Sequence, residues 1–155
     1  MSNSKNKRVT YDINQIKSRT EIDLKIITEN TIQFKIVGPD DTPYEGGKWY
    51  LSLLFPPDYP FKSPSIGFID KIFHPNIDYN SGSICLDVLN QSWSPIYTIQ
   101  HIIDIFIPQL LTYPNPDDPL NKQAADMFLK NKKNFNNYVK KNIGPTSKVL
   151  NNAPI

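Results

Sequence analysis

The chain reads as an α+β fold: an N-terminal helix, a four-stranded antiparallel meander, and then helices, one of them long. Three observations predict it. Near the N-terminus the apolar residues switch from helical spacing to strict alternation. Four strand-like runs then follow one another across short turns, which suits a meander and not alternating βαβ units. The last part of the chain returns to helical periodicity, with no internal repeat or second domain boundary.

The elements follow in order. From Arg8 to Ser18, Val9, Ile13 and Ile16 share one helical face, with Lys17 and Arg19 at its end. Glu21 to Ile27 alternates Ile22, Leu24 and Ile26 with charged residues, and Thr31 to Val37 repeats the pattern through Ile32, Phe34 and Ile36. Lys48 to Leu54 and Ser65 to Phe68 supply the third and fourth strands, separated by turns at Gly46-Gly47 and at prolines. Ten of the fourteen prolines fall between Pro56 and Pro119, so the middle reads as rigid irregular backbone. Thr98 to Leu111 is the clearest helix, with Ile99, Ile102, Ile103, Phe106, Leu110 and Leu111 on a broad face, and Pro108 predicts a kink. From Asn121 the chain is helical through Ala124, Ala125, Phe128 and Leu129, then more weakly through Phe135, Tyr138 and Val139.

At 155 residues the chain has the length of one domain, expected over residues 1–144, with 145–155 as a short tail after Gly144-Pro145. A formal charge of +2 does not announce a nucleic-acid binder. No run approaches the roughly 18 apolar residues of a membrane span. Met1 to Lys5 lacks the apolar core of a secretory signal. A single cysteine suits a reducing compartment, the cytosol or nucleus. No cluster of His and Cys points to a metal, and Asp117-Asp118 on a proline-rich loop is a weak cation motif.

That cysteine, Cys85, is the most informative residue. It closes no intrachain disulfide, so it is either a small buried hydrophobe or a reagent. It follows Gly82-Ser83, lies between Ile84 and Leu86, and comes nine residues after Asn76, whose amide is suited to an oxyanion. A cysteine protease needs a histidine base; only His74 and His101 exist, the first inside a His74-Pro75-Asn76 turn and the second on the long helix.

His74-Pro75-Asn76 followed by Gly82-Ser83-Ile84-Cys85-Leu86-Asp87 resembles the active site of the ubiquitin-conjugating enzymes. Four further landmarks agree, in family order: Thr42 to Gly47, Phe55 to Phe61, Trp93-Ser94-Pro95 and Tyr113 to Leu120. The resemblance runs from about residue 8 to residue 143 and is nearest the class H branch. It rests there on Lys62 to Phe68, Lys71-Ile72-Phe73, Pro108 to Leu111 and the spacing from Asn76 to Cys85.

The resemblance implies a chemistry. Cys85 would accept ubiquitin as a thioester from an activating enzyme and lose it to a substrate lysine. Asn76 would stabilise the oxyanion, or cap its turn, or both. Asp118 would gate the site, orienting the lysine and favouring loss of its proton; a solvated turn acid is the alternative. His74 and Pro75 would shape the loop, Asp87 would be structural, and Leu86 and Leu120 would wall the groove. No metal or cofactor is implied, ATP being used by the activating enzyme. The resemblance also implies a cis bond at Tyr59-Pro60.

Partner surfaces carry over in the same way. Phe61, Pro95 and Ile96 match the patch that docks ligases, with Trp93 in the core. Ile96 stands where many relatives have Ala. Lys5, Lys7, Arg8 and Lys17, with Arg19 nearby, would meet the acidic ubiquitin-fold domain of the activating enzyme, though such a cluster is also an ordinary solvated face. The expected protein is a monomer, with a ligase of the CTLH (GID) type as the class H partner, in proteasomal degradation. The C-terminus departs from the branch: after Asp126 it holds six lysines and no acid, where relatives carry an acidic extension. Two other readings remain: a catalytically silent ubiquitin-binding scaffold, and conjugation of another ubiquitin-like modifier.

Overall fold

The computed structural model describes residues 6–144. The expected tail, 145–155, and Lys5 lie outside them. Helix α1 (Lys7–Lys17) starts where the Asn6 side chain accepts the Arg8 and Val9 amides, a capping contact for otherwise orphaned donors. Its buried stripe is Val9, Ile13 and Ile16. Strands β1 (Leu24–Thr28), β2 (Thr31–Val37), β3 (Lys48–Leu54) and β4 (Ser65–Phe68) form one antiparallel sheet in that order. Phe34 pairs with Leu51 and Leu51 with Phe68, so one face of the meander is apolar and buried. It shares a single core with α1 and the later helices.

β1 departs from the simple alternation. A register shift between Ile26 and Thr28 leaves Ile26 44% exposed, while Leu24 and Ile27 are half-buried. The strand lies at the sheet edge, where a break in pairing strands no interior hydrogen bonds.

The middle of the chain is less irregular than its prolines suggest. A seven-residue helix, α2 (Leu86–Ser92), begins immediately after Cys85, so the cysteine caps a helix and does not sit on a free loop. The segment lacks a periodic signal because only Leu89 is fully buried. The long helix consists of α3 (Ile99–His101), a π-helical turn (Ile102–Phe106) and α4 (Ile107–Thr112). Proline at residue 108 has no N–H for the α ladder; the disturbance expected there takes the form of this π turn, with Pro108 in the opening turn of α4. The C-terminal helical stretch is two helices, α5 (Lys122–Lys130) and α6 (Lys132–Lys141), divided at Asn131, whose side chain caps α6 by accepting the Asn134 amide. Tyr59-Pro60 is cis. No helix among the described residues is long and apolar enough to cross a membrane.

Candidate active site

Cys85 is placed by the backbone on either side of it. Residues 82–84 lie along the sheet edge: Gly67 bridges Ser83, and Ile77 bridges Ile84. Gly82 adopts φ of +78°, and a Cβ there would come within 1.7 Å of the Phe68 carbonyl oxygen, so only glycine lets the segment approach β4 this closely. The Cys85 amide then donates to the Asn76 carbonyl at 2.9 Å, and its own carbonyl accepts the Leu89 amide at 3.0 Å as α2 begins. The thiol-bearing residue is 7% exposed.

The facing turn of the site, residues 74–77, is ordered by His74 and Asn76, both fully buried. His74 Nε2 lies 2.7 Å from the Leu110 carbonyl, and its Nδ1 accepts the Asn76 amide at 3.0 Å. The ring therefore donates at Nε2 and accepts at Nδ1, which is neutral imidazole. Burial lowers its pKa from 6.5 to about 4 against the opposing pull of the Leu110 carbonyl. A ring with both nitrogens occupied shapes the loop and has no lone pair left for a reacting group. Tyr44, buried with its ring 5.8 Å from that of His74, donates its hydroxyl to the Phe73 carbonyl at 2.7 Å and so ties the Thr42–Gly47 turn to the segment that leads into His74.

Asn76 reaches across to the far wall. Its Nδ2 donates to the Asn115 carbonyl at 2.6 Å, and its Oδ1 accepts the Asn115 amide at 2.8 Å. One N–H of the amide remains beyond this pair. Farther along, the Pro75 carbonyl accepts both the Leu120 amide at 2.9 Å and the Asn121 amide at 3.1 Å. The segment carrying Asp117 and Asp118 is thus suspended between two anchors on the His74–Asn76 turn. Asp118, Asp87, Leu86 and Leu120 are all exposed around the site. A cleft of about 200 Å³ opens beside Asn76 between α2 and α4, lined by Val88, Gln91, Phe106, Leu110, Tyr113 and Asn115. Asn115, whose backbone holds the Asn76 amide, is the site residue that sequence reasoning passed over; it lay inside the Tyr113–Leu120 landmark without a chemical signal of its own.

The remaining expected site residues lie on two other loops and on α1. Phe61 and Ile96 are 78% and 81% exposed, and Pro95 is exposed beside Ile96. Trp93 is half-buried against the core and donates Nε1 to the Pro60 carbonyl at 2.9 Å. The α1 cations divide. Lys7 and Lys17 are exposed, whereas Arg8 is engaged inside the molecule, with Asp12 and with the carbonyls of Pro95 and Tyr97. Arg19 likewise pairs with Glu21 and Asp104. His101, on the long helix, stacks on Tyr97 with ring centroids 3.8 Å apart, and burial lowers its pKa. Among the described residues no group of three or more His, Cys, Asp or Glu is arranged to hold a metal.

A sequence model of the family described as ubiquitin-conjugating enzyme matches residues 7–143. The chain is 48% identical over 143 residues to the ubiquitin-conjugating enzyme E2-24 kDa of Saccharomyces cerevisiae, covering 92% of this chain and 66% of that one. It is 52% identical over 103 residues to the ubiquitin-conjugating enzyme E2 5 of Arabidopsis thaliana, covering 66% of this chain and 56% of the relative. The chain thus spans only about half to two thirds of these relatives' length. In three dimensions it resembles a putative ubiquitin-conjugating enzyme from Plasmodium yoelii, with a TM-score of 0.79, 35% identity, and coverage of 94% of this chain and 99% of that one. The E2 domain of a Toxoplasma gondii ubiquitin-conjugating enzyme gives 0.76 at 35% identity, over 87% and 93%. Fold, motif order and a family match spanning the described core agree, and the chain belongs to the ubiquitin-conjugating enzyme family.

Proposed function

We propose that this chain carries ubiquitin as a thioester on Cys85 and delivers it to substrate lysines. One observation carries the reading: the only thiol of the chain stands at the head of α2, hydrogen-bonded through its backbone to Asn76, inside the wall that the family match spans. In the first step the Cys85 thiolate attacks the carbonyl carbon of a ubiquitin thioester on the activating enzyme. A C–S bond forms, and the tetrahedral oxyanion collapses by expelling the activating enzyme's thiolate. In the second step a lysine amine attacks the new thioester, an amide forms, the amine loses a proton and the Cys85 thiolate leaves.

Asn76 serves both steps through the N–H that Asn115 does not take, while its other contacts hold the wall in place. Asp118, on the suspended segment, orients the incoming amine and favours loss of its proton. Leu86 and Leu120 flank the approach. The chemistry asks for no metal or cofactor on this chain, ATP being consumed by the activating enzyme. Lys7 and Lys17 offer the activating enzyme a basic face on α1. Phe61, Pro95 and Ile96 offer a ligase an apolar one, and the class H likeness favours a CTLH (GID) type. A monomer acting in the cytoplasm or nucleus, within proteasomal degradation, completes the reading.

A charging reaction with ubiquitin, activating enzyme and ATP tests it. Wild type should gain one ubiquitin that thiol reductant removes; Cys85→Ser should give a reductant-resistant ester and Cys85→Ala no adduct. A folded wild type that takes up no ubiquitin would leave the scaffold reading, or a different modifier, in its place.

A further inference from the structure

The loop that presents Ile96 receives two hydrogen bonds from one side chain of α1. Arg8 sends Nη1 to the Pro95 carbonyl at 2.9 Å and Nη2 to the Tyr97 carbonyl, the carbonyls of the two residues that neighbour Ile96 in the chain. Its third nitrogen, Nε, donates to both oxygens of Asp12, at 3.2 and 3.3 Å. Asp12 is itself buried, with a side-chain exposure of 0%, and also accepts the Tyr59 hydroxyl. Tyr59 stands two residues before Phe61. Its carbonyl accepts the Asn6 side-chain amide at 2.7 Å, and its ring lies 5.6 Å from that of Trp93, at the start of the second loop. The guanidinium also sits over the Tyr59 ring, 5.7 Å from its centroid. Every guanidinium nitrogen of Arg8 is therefore used, and each of its hydrogen bonds ends on the loop that exposes Ile96 or on Asp12.

We propose that Arg8 is a positioning residue for the ligase-docking surface: fixed by buried Asp12, its guanidinium clamps the carbonyls flanking Ile96 and sets the loop that presents it. The inference rests on the reading that Phe61 and Ile96 dock a ligase. It turns Arg8 from a surface cation into an internal brace. The fork spreads its donors over three nitrogens, whereas the three donors of a lysine ammonium leave a single atom and do not reproduce that spread.

The test compares wild type with Arg8→Lys, which keeps a cation for Asp12, and with Arg8→Ala. The first measurement needs no ligase. The Tyr97 amide donates to the Ser94 carbonyl at 2.9 Å, and its hydrogen exchange reports the order of the loop. Exchange at least tenfold faster in Arg8→Lys, with protection in the β2–β3 ladder unchanged, is expected. The second measurement uses thioester formed in advance and a recombinant ligase domain that stimulates the wild type. The ligase concentration for half-maximal discharge should rise at least tenfold in both variants, while ligase-free discharge to lysine stays within twofold. Wild-type Tyr97 protection in Arg8→Lys would overturn the proposal, whether or not Arg8→Ala folds. Unchanged ligase dependence alongside faster exchange would overturn the link to docking. If the wild type takes up no ubiquitin, the proposed activity fails separately, and Tyr97 exchange still decides whether Arg8 braces the loop.

Discussion

The loops around Cys85 and the loops that expose Phe61 and Ile96 are both rich in proline, yet different forces hold them. Around Cys85 the fastening is neutral and starts from two buried side chains, His74 and Asn76: imidazole to carbonyl at Leu110, amide to backbone at Asn115, with two further amides on the Pro75 carbonyl. At the docking end it is charged and half-open, a guanidinium on a buried carboxylate reaching out to two carbonyls. Neutral buried bonds do not respond to salt and are costly to leave unmade. An ion pair with one solvated partner is screened and responds to whatever charge approaches. The part that would do chemistry is thus insulated, and the part that would meet partners is responsive.

The contrast is most sharply broken at Asn76. Replacing it by Ala removes both the cross-wall pair and the proposed oxyanion donor, and should slow lysine discharge of preformed thioester on the order of 100-fold or more. Single-turnover assays measure this; a loss below tenfold would reduce Asn76 to a turn cap. The next effect is on stability. Below pH 6.5 the unfolded chain protonates at His74, while the folded chain, with this pKa held to about 4, does not. Native stability should therefore be flat above pH 6.5 and fall as pH drops towards 4, by about 2 kcal/mol between pH 7 and pH 5 from this group alone. Urea titrations at the two pH values test the sign, and the slope should diminish in His74→Gln. The smallest effect belongs to the basic face of α1. Lys7→Ala with Lys17→Ala should raise the activating-enzyme concentration needed for charging several-fold at low salt, a difference that shrinks as salt is added. A difference independent of salt would mean that these lysines pack and do not steer.

β2 was legible from its alternation, and β3 and β4 from the glycine and proline turns that bound them, with bounds that match the observed strands. β1 was less exact, since a register shift at a sheet edge leaves no mark in hydropathy. α2 was invisible: a seven-residue helix with one fully buried side chain has no period to detect. The site was legible as a motif, in that Cys85, Asn76 and His74 stand where the signature puts them along one backbone turn. What holds them was not. Leu110 and Asn115 come from 36 and 39 residues farther along the chain. Arg8 was least legible of all. Among neighbouring lysines it reads as one more surface cation, yet its partners at Pro95 and Tyr97 lie 87 and 89 residues away.

A chain with one cysteine, and that one 7% exposed, also carries its own clock. An alkylating reagent has a single sulfur to find, and finds it faster when the surrounding wall moves aside. The speed of labelling then follows that movement, with no dye or engineered handle. Conditions that loosen the segment between Asn115 and Asn121 should quicken it, and a bound partner that covers the site should slow it.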